Sequence, residues 1–207
     1  MPLAVWVLRN DFVALRHGQS QANRQQIIVS SPEVAIASYG LTDLGKTQAR
    51  QAGRTICQWY NKHHHQGLCL VCSDFLRAQQ TAEIVEQIAV EALSSSVLLQ
   101  ADERLRERFF GELNLTPDSN YNRVWERDAE DSSHNAFGVE SVDSVQQRAV
   151  ECVMDWNERY SNRLIVLVAH GDVLQILQTA LLDQPTRLHR AAVPHLETAT
   201  PRRLLNK

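Results

Sequence analysis

Three stretches, FVALR at 12–16, LCLVCS at 68–73 and LIVLVA at 164–169, are apolar along most of their length, and a weaker one, VLLQ, stands at 97–100. None shows the polar alternation of a strand with one wet face. Short continuous apolar runs of this kind are strands buried on both faces, as in parallel sheets. Between them the apolar period changes to threes and fours. Leu44, Ala52, Ile56, Trp59 and Tyr60 mark a helix over 43–61. Ala78, Ala82, Val85, Ile88, Ala89 and Ala92 mark one over 75–93, with Ser73 or Asp74 as its N-cap. Val142, Val145, Ala149, Val153, Trp156 and Tyr160 mark another over 141–160, and Val173, Ile176, Leu177 and Ala180 a shorter one over 172–182. Strands alternating with helices predict a three-layer α/β/α fold with a mostly parallel central sheet.

A chain of 207 residues suits a single domain spanning 1–207, and 43% hydrophobic residues can fill its core without disulfides or metals. Two segments stand outside the alternation. Residues 19–40 form a long polar connection, and 112–140, acidic and partly helical, read as a lid-like insertion. The formal charge of −3 lacks the basic excess of a nucleic-acid binder. The apolar run within MPLAVWVLRND has no basic residue before it and is too short to span a membrane. A soluble, cytoplasmic protein with no membrane partner is predicted. Cys57, Cys69, Cys72 and Cys152 read as buried thiols; Cys69 and Cys72, three apart in a strand, point to opposite faces.

Ligands of parallel sheets gather beyond the carboxyl ends of the strands. There the sequence places Arg16, His17 and Gly18 after the first run, and His170 and Gly171 after the last. Arg77 falls in the first turn of the second helix, and Glu107 in LRERFFGEL after the fourth run. Arginine forks match phosphate oxygens, helix N-termini favour anions, and glycines allow close approach. A neutral imidazole in such a pocket can attack phosphorus, and a carboxyl group can protonate the leaving oxygen. Singly, each residue has a structural reading: Arg16 or Arg77 on the surface, Glu107 in a weak ion pair. Jointly, the bland reading requires several accidents at one sheet edge. Two arginines beside the histidines also disfavour a divalent metal. His63, His64 and His65 read as a helix end, and His134, His189 and His195 receive no role. Trp59, Trp156 and Tyr160 read as core, Phe109 and Phe110 as neighbours of the site, and Tyr39, Tyr121 and Trp125 as lining its mouth.

LRHGQSQAN at 15–23 resembles the R-H-G-x-S-x-x-N signature of the histidine phosphatase superfamily, which also holds the cofactor-dependent phosphoglycerate mutases. The likeness continues in order through LTDLGKTQA, SDFLRAQQTA, LRERFFG, GVES and VAHGDVL, from about residue 12 to 182. It implies a phosphoglycerate mutase-like fold. It also implies His17 as the phosphorylated nucleophile, with Arg16, Arg77 and His170 holding the phosphoryl oxygens. Asn23, Ser20 and Gly171 would contact the phosphate, Glu107 would donate the proton, and neither metal nor cofactor would be needed. Unlike the mutases, the chain has no Gly-Trp turn after its signature. Its lid region carries Glu126, Asp128, Glu130 and Asp131 against Arg123 and Arg127, which would repel a polyanion. The expectation is therefore a phosphomonoester hydrolase acting through phosphohistidine. A mutase-type isomerase is the alternative, and a non-catalytic phospho-ligand binder is third. The expected substrate is a phosphorylated small molecule or a phosphoprotein. The oligomeric state and the course of the tail 185–207 stay open.

Overall fold

The computed structural model describes residues 7–204. Four parallel strands, β1 (Asp11–Arg16), β2 (Leu68–Cys72), β3 (Val97–Ala101) and β4 (Leu164–Ala169), line up in the order β3-β2-β4-β1. The helices of the alternating pattern are α3 (Asp43–His63), α4 (Leu76–Ala92), α6 (Val142–Arg159) and α7 (Gly171–Leu181), each within a few residues of its predicted bounds. Val13 and Leu15 of β1 face α3 and α4, whereas Phe12 and Ala14 face α6 and α7. Strand alternation thus feeds one core on each side of the sheet. Cys69 and Cys72 fall into these opposite cores, and all four cysteines are buried free thiols. Trp156 is fully buried, while Trp59 and Tyr160 pack on the core margins.

The predicted cap of the second helix is wrong. Phe75 occupies the N-cap position and makes no side-chain cap. Ser73 Oγ instead accepts the Phe75 N–H, and Asp74 takes a two-pronged ion pair from Arg106. Gly18 also has a different reason from the expected one. A Cβ there would collide with the Gly45 carbonyl oxygen, so it lets α3 pack against the strand end. His64 ends α3 in the left-handed conformation, and His65 is buried beside Tyr60.

Residues 19–40 are more than a polar connection. They hold α1 (Gln21–Gln25) and α2 (Pro32–Ala35), and they bury Ala22, Val29 and Ala35 around Phe75. Tyr39 packs on that cluster rather than at a pocket mouth, which corrects its expected place. Within 112–140, α5 (Tyr121–Glu130) builds a second small core from Val124, Val139, Leu113, Phe110 and Ile28. The segment is clamped to the body by the fully buried pair Arg108–Asp128, with guanidinium–carboxylate bonds of 2.6 and 2.8 Å. The tail forms a turn at Thr186–Leu188, then α8 (His189–Ala192), then β5 (Arg202–Arg203) antiparallel to β1. Residues 205–207 and most of the apolar run near the amino terminus lie outside the described residues. No helix among the described residues is long and apolar enough to cross a membrane.

Candidate active site

β1 and β4 are adjacent and parallel, with Arg16 opposite Ala169. The next residue on each strand is a histidine, so register alone brings His17 and His170 together. Their ring centroids lie 5.2 Å apart, edge to face. His17 N donates to the Ala169 carbonyl, and its Nδ1–H donates to the Gly18 carbonyl at 2.7 Å. The second bond fixes the tautomer and leaves Nε2 as a lone pair. His170 caps α7, and its Nε2 lies 3.0 Å from Ser73 Oγ at the end of β2. With Ser73 donating there, the remaining imidazole proton sits on Nδ1, a buried atom without a partner among the described residues.

Arg77, in the first turn of α4, aims its Nε at His17 Nε2, 3.1 Å away, and its Nη2 at the Val29 carbonyl. Its Nη1 is buried and unsatisfied. Arg16 spends Nη1 on His195 Nε2 and the Leu196 carbonyl, leaving a buried Nε without a partner. Buried donors are ordinarily satisfied, and leaving one unmade costs about 1–3 kcal/mol or more for a charged group. Two unpaired guanidinium donors beside one imidazole suit the oxygens of an anion.

A cavity of about 210 Å³ opens here, walled by Arg16, His17, Arg77 and Glu107 on its charged side. Ser20 and Asn23 also line it. They cap α1 reciprocally, each holding the other's backbone N–H, so the signature serine and asparagine are structural as well as accessible. Gly171 borders a smaller adjoining recess, whereas the His170 ring stands fully buried behind His17.

Burial is the main force on His17, His170 and Glu107. Desolvation, with Arg77 and Arg16 next, holds His17 well below its usual range, so its imidazole is neutral at pH 7. His170 is held down likewise, by burial and then by Arg77. Glu107 moves the other way. Desolvation and then the Asp172 carboxylate raise it to about 7, against the pull of Arg77. A neutral imidazole and a carboxyl group poised to hold or release a proton therefore share one pocket.

The sequence profile of the histidine phosphatase superfamily (branch 1) matches residues 12–200. The chain belongs to the histidine phosphatase superfamily. Among its relatives, the glucosyl-3-phosphoglycerate phosphatase of Mycolicibacterium vanbaalenii is 30% identical over 187 residues, covering 84% of this chain and 74% of that protein. The uncharacterized phosphatase PhoE of Bacillus subtilis is 26% identical over 190 residues, covering 89% and 86%. A mycobacterial glucosyl-3-phosphoglycerate phosphatase solved with VO3 superposes with a TM-score of 0.74 at 25% identity, over 92% of this chain and 88% of that one.

Against this superfamily background, several expectations need correction. The lid acids do not face the cavity. Asp128 is neutralised by Arg108, and Glu126 and Glu130 border a separate depression with Arg123, Arg127 and Phe137. Repulsion of a polyanion by these residues is therefore no argument against the mutase alternative. Besides Glu107, the acid on the cavity wall is Asp118, which the sequence reading passed over. Tyr121 and Trp125 do line the cavity, as expected of loop aromatics. Phe110 is buried in the small core, and Phe109 borders a groove on the other side of Glu107. His195, given no role from sequence, stands on the wall as the partner of Arg16. His189, also passed over, is buried 3.8 Å from Asp128 and 3.9 Å from Asp172. No motif marked either histidine, because each acquires its neighbours only when the tail folds back.

Proposed function

We propose that this protein is a metal-independent phosphatase that hydrolyses small phosphomonoesters through a phosphohistidine at His17. The observation that carries the reading is a neutral imidazole whose Nδ1–H is tied to Gly18, surrounded by buried guanidinium N–H groups without partners. In the first step Nε2 attacks phosphorus as the ester P–O bond breaks, and Glu107 gives its proton to the departing alcohol oxygen. In the second, water attacks phosphorus as the P–N bond breaks. Its proton passes to Glu107, restoring the starting enzyme and releasing inorganic phosphate. Arg16 and Arg77 hold the phosphoryl oxygens throughout and supply the positive charge that a metal would otherwise bring.

Hydrolysis is favoured over the mutase alternative because the curated relatives are phosphatases. A cavity of about 210 Å³, roofed by residues 112–140 acting as a lid on one domain, fits a phosphorylated small metabolite better than a phosphoprotein. The phosphorylated metabolite handled by the glucosyl-3-phosphoglycerate phosphatases supports the same choice.

The test is chemical trapping. Rapid quenching with a 32P-labelled phosphomonoester should place acid-labile, base-stable label on the wild type and none on His17→Ala. Phosphate release that survives His17→Ala, or that is abolished by chelator, would overturn the reading. Interconversion of phosphoglycerates faster than phosphate release would favour the mutase instead.

A further inference from the structure

The lining of the cavity includes two polar groups from one short stretch of chain, Asp118 and Tyr121, that the proposed chemistry does not use. Tyr121 sits on the first turn of α5, and Asp118 lies three residues before it; both face the 210 Å³ cavity. The Tyr121 hydroxyl makes no hydrogen bond among the described residues. Its ring is nevertheless held from two sides. Phe110 meets it edge-on at 4.8 Å, and Trp125 stacks on it at 5.1 Å with the planes 7° from parallel.

Trp125 is fixed in turn. Its Nε1–H donates to Asp172 at 3.1 Å, and the Arg190 guanidinium covers its other face, 3.8 Å from the ring centroid. A phenol locked by a three-layer stack, with its O–H unspent, is a preorganised donor. Burial and then the Glu107 charge raise the Tyr121 phenol above its usual range, so it keeps its proton. The Asp118 carboxylate accepts no hydrogen bond among the described residues; its backbone N–H donates to the Gln26 carbonyl, and its carbonyl accepts the Tyr121 N–H. Ala22, Ile27 and Val29 add apolar lining to the cavity.

We propose that Tyr121 and Asp118 read the alcohol part of the substrate, selecting phosphomonoesters of neutral polyhydroxy alcohols over those of simple alkanols or hydroxy acids. Tyr121 donates to an oxygen near the ester, and Asp118 accepts from a hydroxyl further out. The three-residue spacing spans the 3₁₀ turn Asp118–Asn120 that leads into α5, where residues i and i+3 fall on one side, as neighbouring hydroxyls of a polyol require. A carboxylate on the substrate would meet Asp118 and be repelled. A site built around hydrogen bonds rejects an analogue that lacks them, because its own polar groups are then stranded.

This inference rests on the phosphatase reading, and the experiment separates the two. Three probes of similar size are compared: glycerol 1-phosphate, n-propyl phosphate and 3-phosphoglycerate. The wild type should favour glycerol 1-phosphate over each of the others by about tenfold or more in kcat/KM, the worth of one good hydrogen bond. Tyr121→Phe should shrink the glycerol-to-propyl ratio at least fivefold, and Asp118→Asn should raise 3-phosphoglycerate relative to glycerol 1-phosphate. The same ratios are read as binding constants by calorimetry in His17→Ala and in His17→Ala combined with Tyr121→Phe, which requires no turnover. Absence of phosphate release with the binding ratios intact would sink the phosphatase reading and leave this one standing. Equal handling of all three probes by the wild type would overturn the inference. So would a Tyr121→Phe enzyme that is slowed equally on each.

Discussion

At the scale of single residues, Glu107 shows how burial sets chemistry. Its carboxyl group is raised to about 7 by desolvation and by the Asp172 carboxylate, so it is protonated in the range where His17 is already neutral. Protonation of the leaving alcohol requires the acid form. The kcat/KM for an alkyl phosphomonoester should therefore fall as pH rises through about 7. It should show no loss centred on the ordinary histidine value of 6.5, because the folded His17 titrates well below it. Glu107→Gln should lower kcat/KM on alkyl esters by about 10²–10⁴ and remove the alkaline fall. The loss should be much smaller on p-nitrophenyl phosphate, whose leaving group needs no proton. Steady-state kinetics between pH 5 and 9 check both statements, and an equal loss on both esters would argue against acid catalysis. The identities of His17, Arg77 and Glu107 as a set were legible in the sequence because the strand ends announced them. The Nδ1 bond to Gly18 and the elevation of Glu107 were not: the first depends on the ring rotamer and the backbone bend at the strand end, and the second on burial and on Asp172 far along the chain.

Among the elements, α5 is the one whose place most needed the structure. Its apolar residues are few, and Val124 alone of its hydrophobic side chains is fully buried. What seats it is the Arg108–Asp128 pair, fully buried and bonded through both guanidinium nitrogens, with His134 Nε2 2.8 Å from the same carboxylate. Removing one partner of such a pair strands the other charge and costs about 3–5 kcal/mol. Arg108→Met should therefore destabilise the fold by that amount in urea titrations. It should also blunt catalysis, because the guanidinium bonds to Asp128 and the Glu140 carbonyl hold in place the backbone N–H of residue 108 that donates to the Glu107 carboxylate. Arg108→Met combined with Asp128→Leu should recover much of the stability, since no charge is then left uncompensated. A double variant as unstable as the single one would mean that the pair itself, and not the stranded charge, supplies the stability. From sequence, Asp128 looked like one of several surface acids on an insertion. Burial reversed its meaning, and with it the supposed repulsion of anionic ligands.

Across the whole molecule, the catalytic edge is completed by the end of the chain. The tail returns past β1, pairs as β5, and places His195 Nε2 and the Leu196 carbonyl on Arg16. This anchor leaves the buried Nε of Arg16, the group proposed to meet a phosphoryl oxygen, without a partner among the described residues. His195→Ala should raise KM for phosphomonoesters several-fold with a smaller change in kcat, because Arg16 keeps its charge and the Leu196 contact while losing part of its orientation. Unchanged KM would show that Leu196 alone suffices.

The alternation of doubly buried strands with amphipathic helices determined the layered fold, because periodicity and burial are local consequences of the residues themselves. The same logic determined where the charged residues would gather, since strand ends in a parallel sheet share an edge. Register, tail and lid were decided only by the tertiary structure. Which strands are neighbours, where residues 185–204 run, and whether an acid is stranded, paired or turned into the cavity all depend on contacts between positions apart in sequence, from 20 residues for Arg108 and Asp128 to 179 for Arg16 and His195. Local sequence pattern carries no record of those contacts.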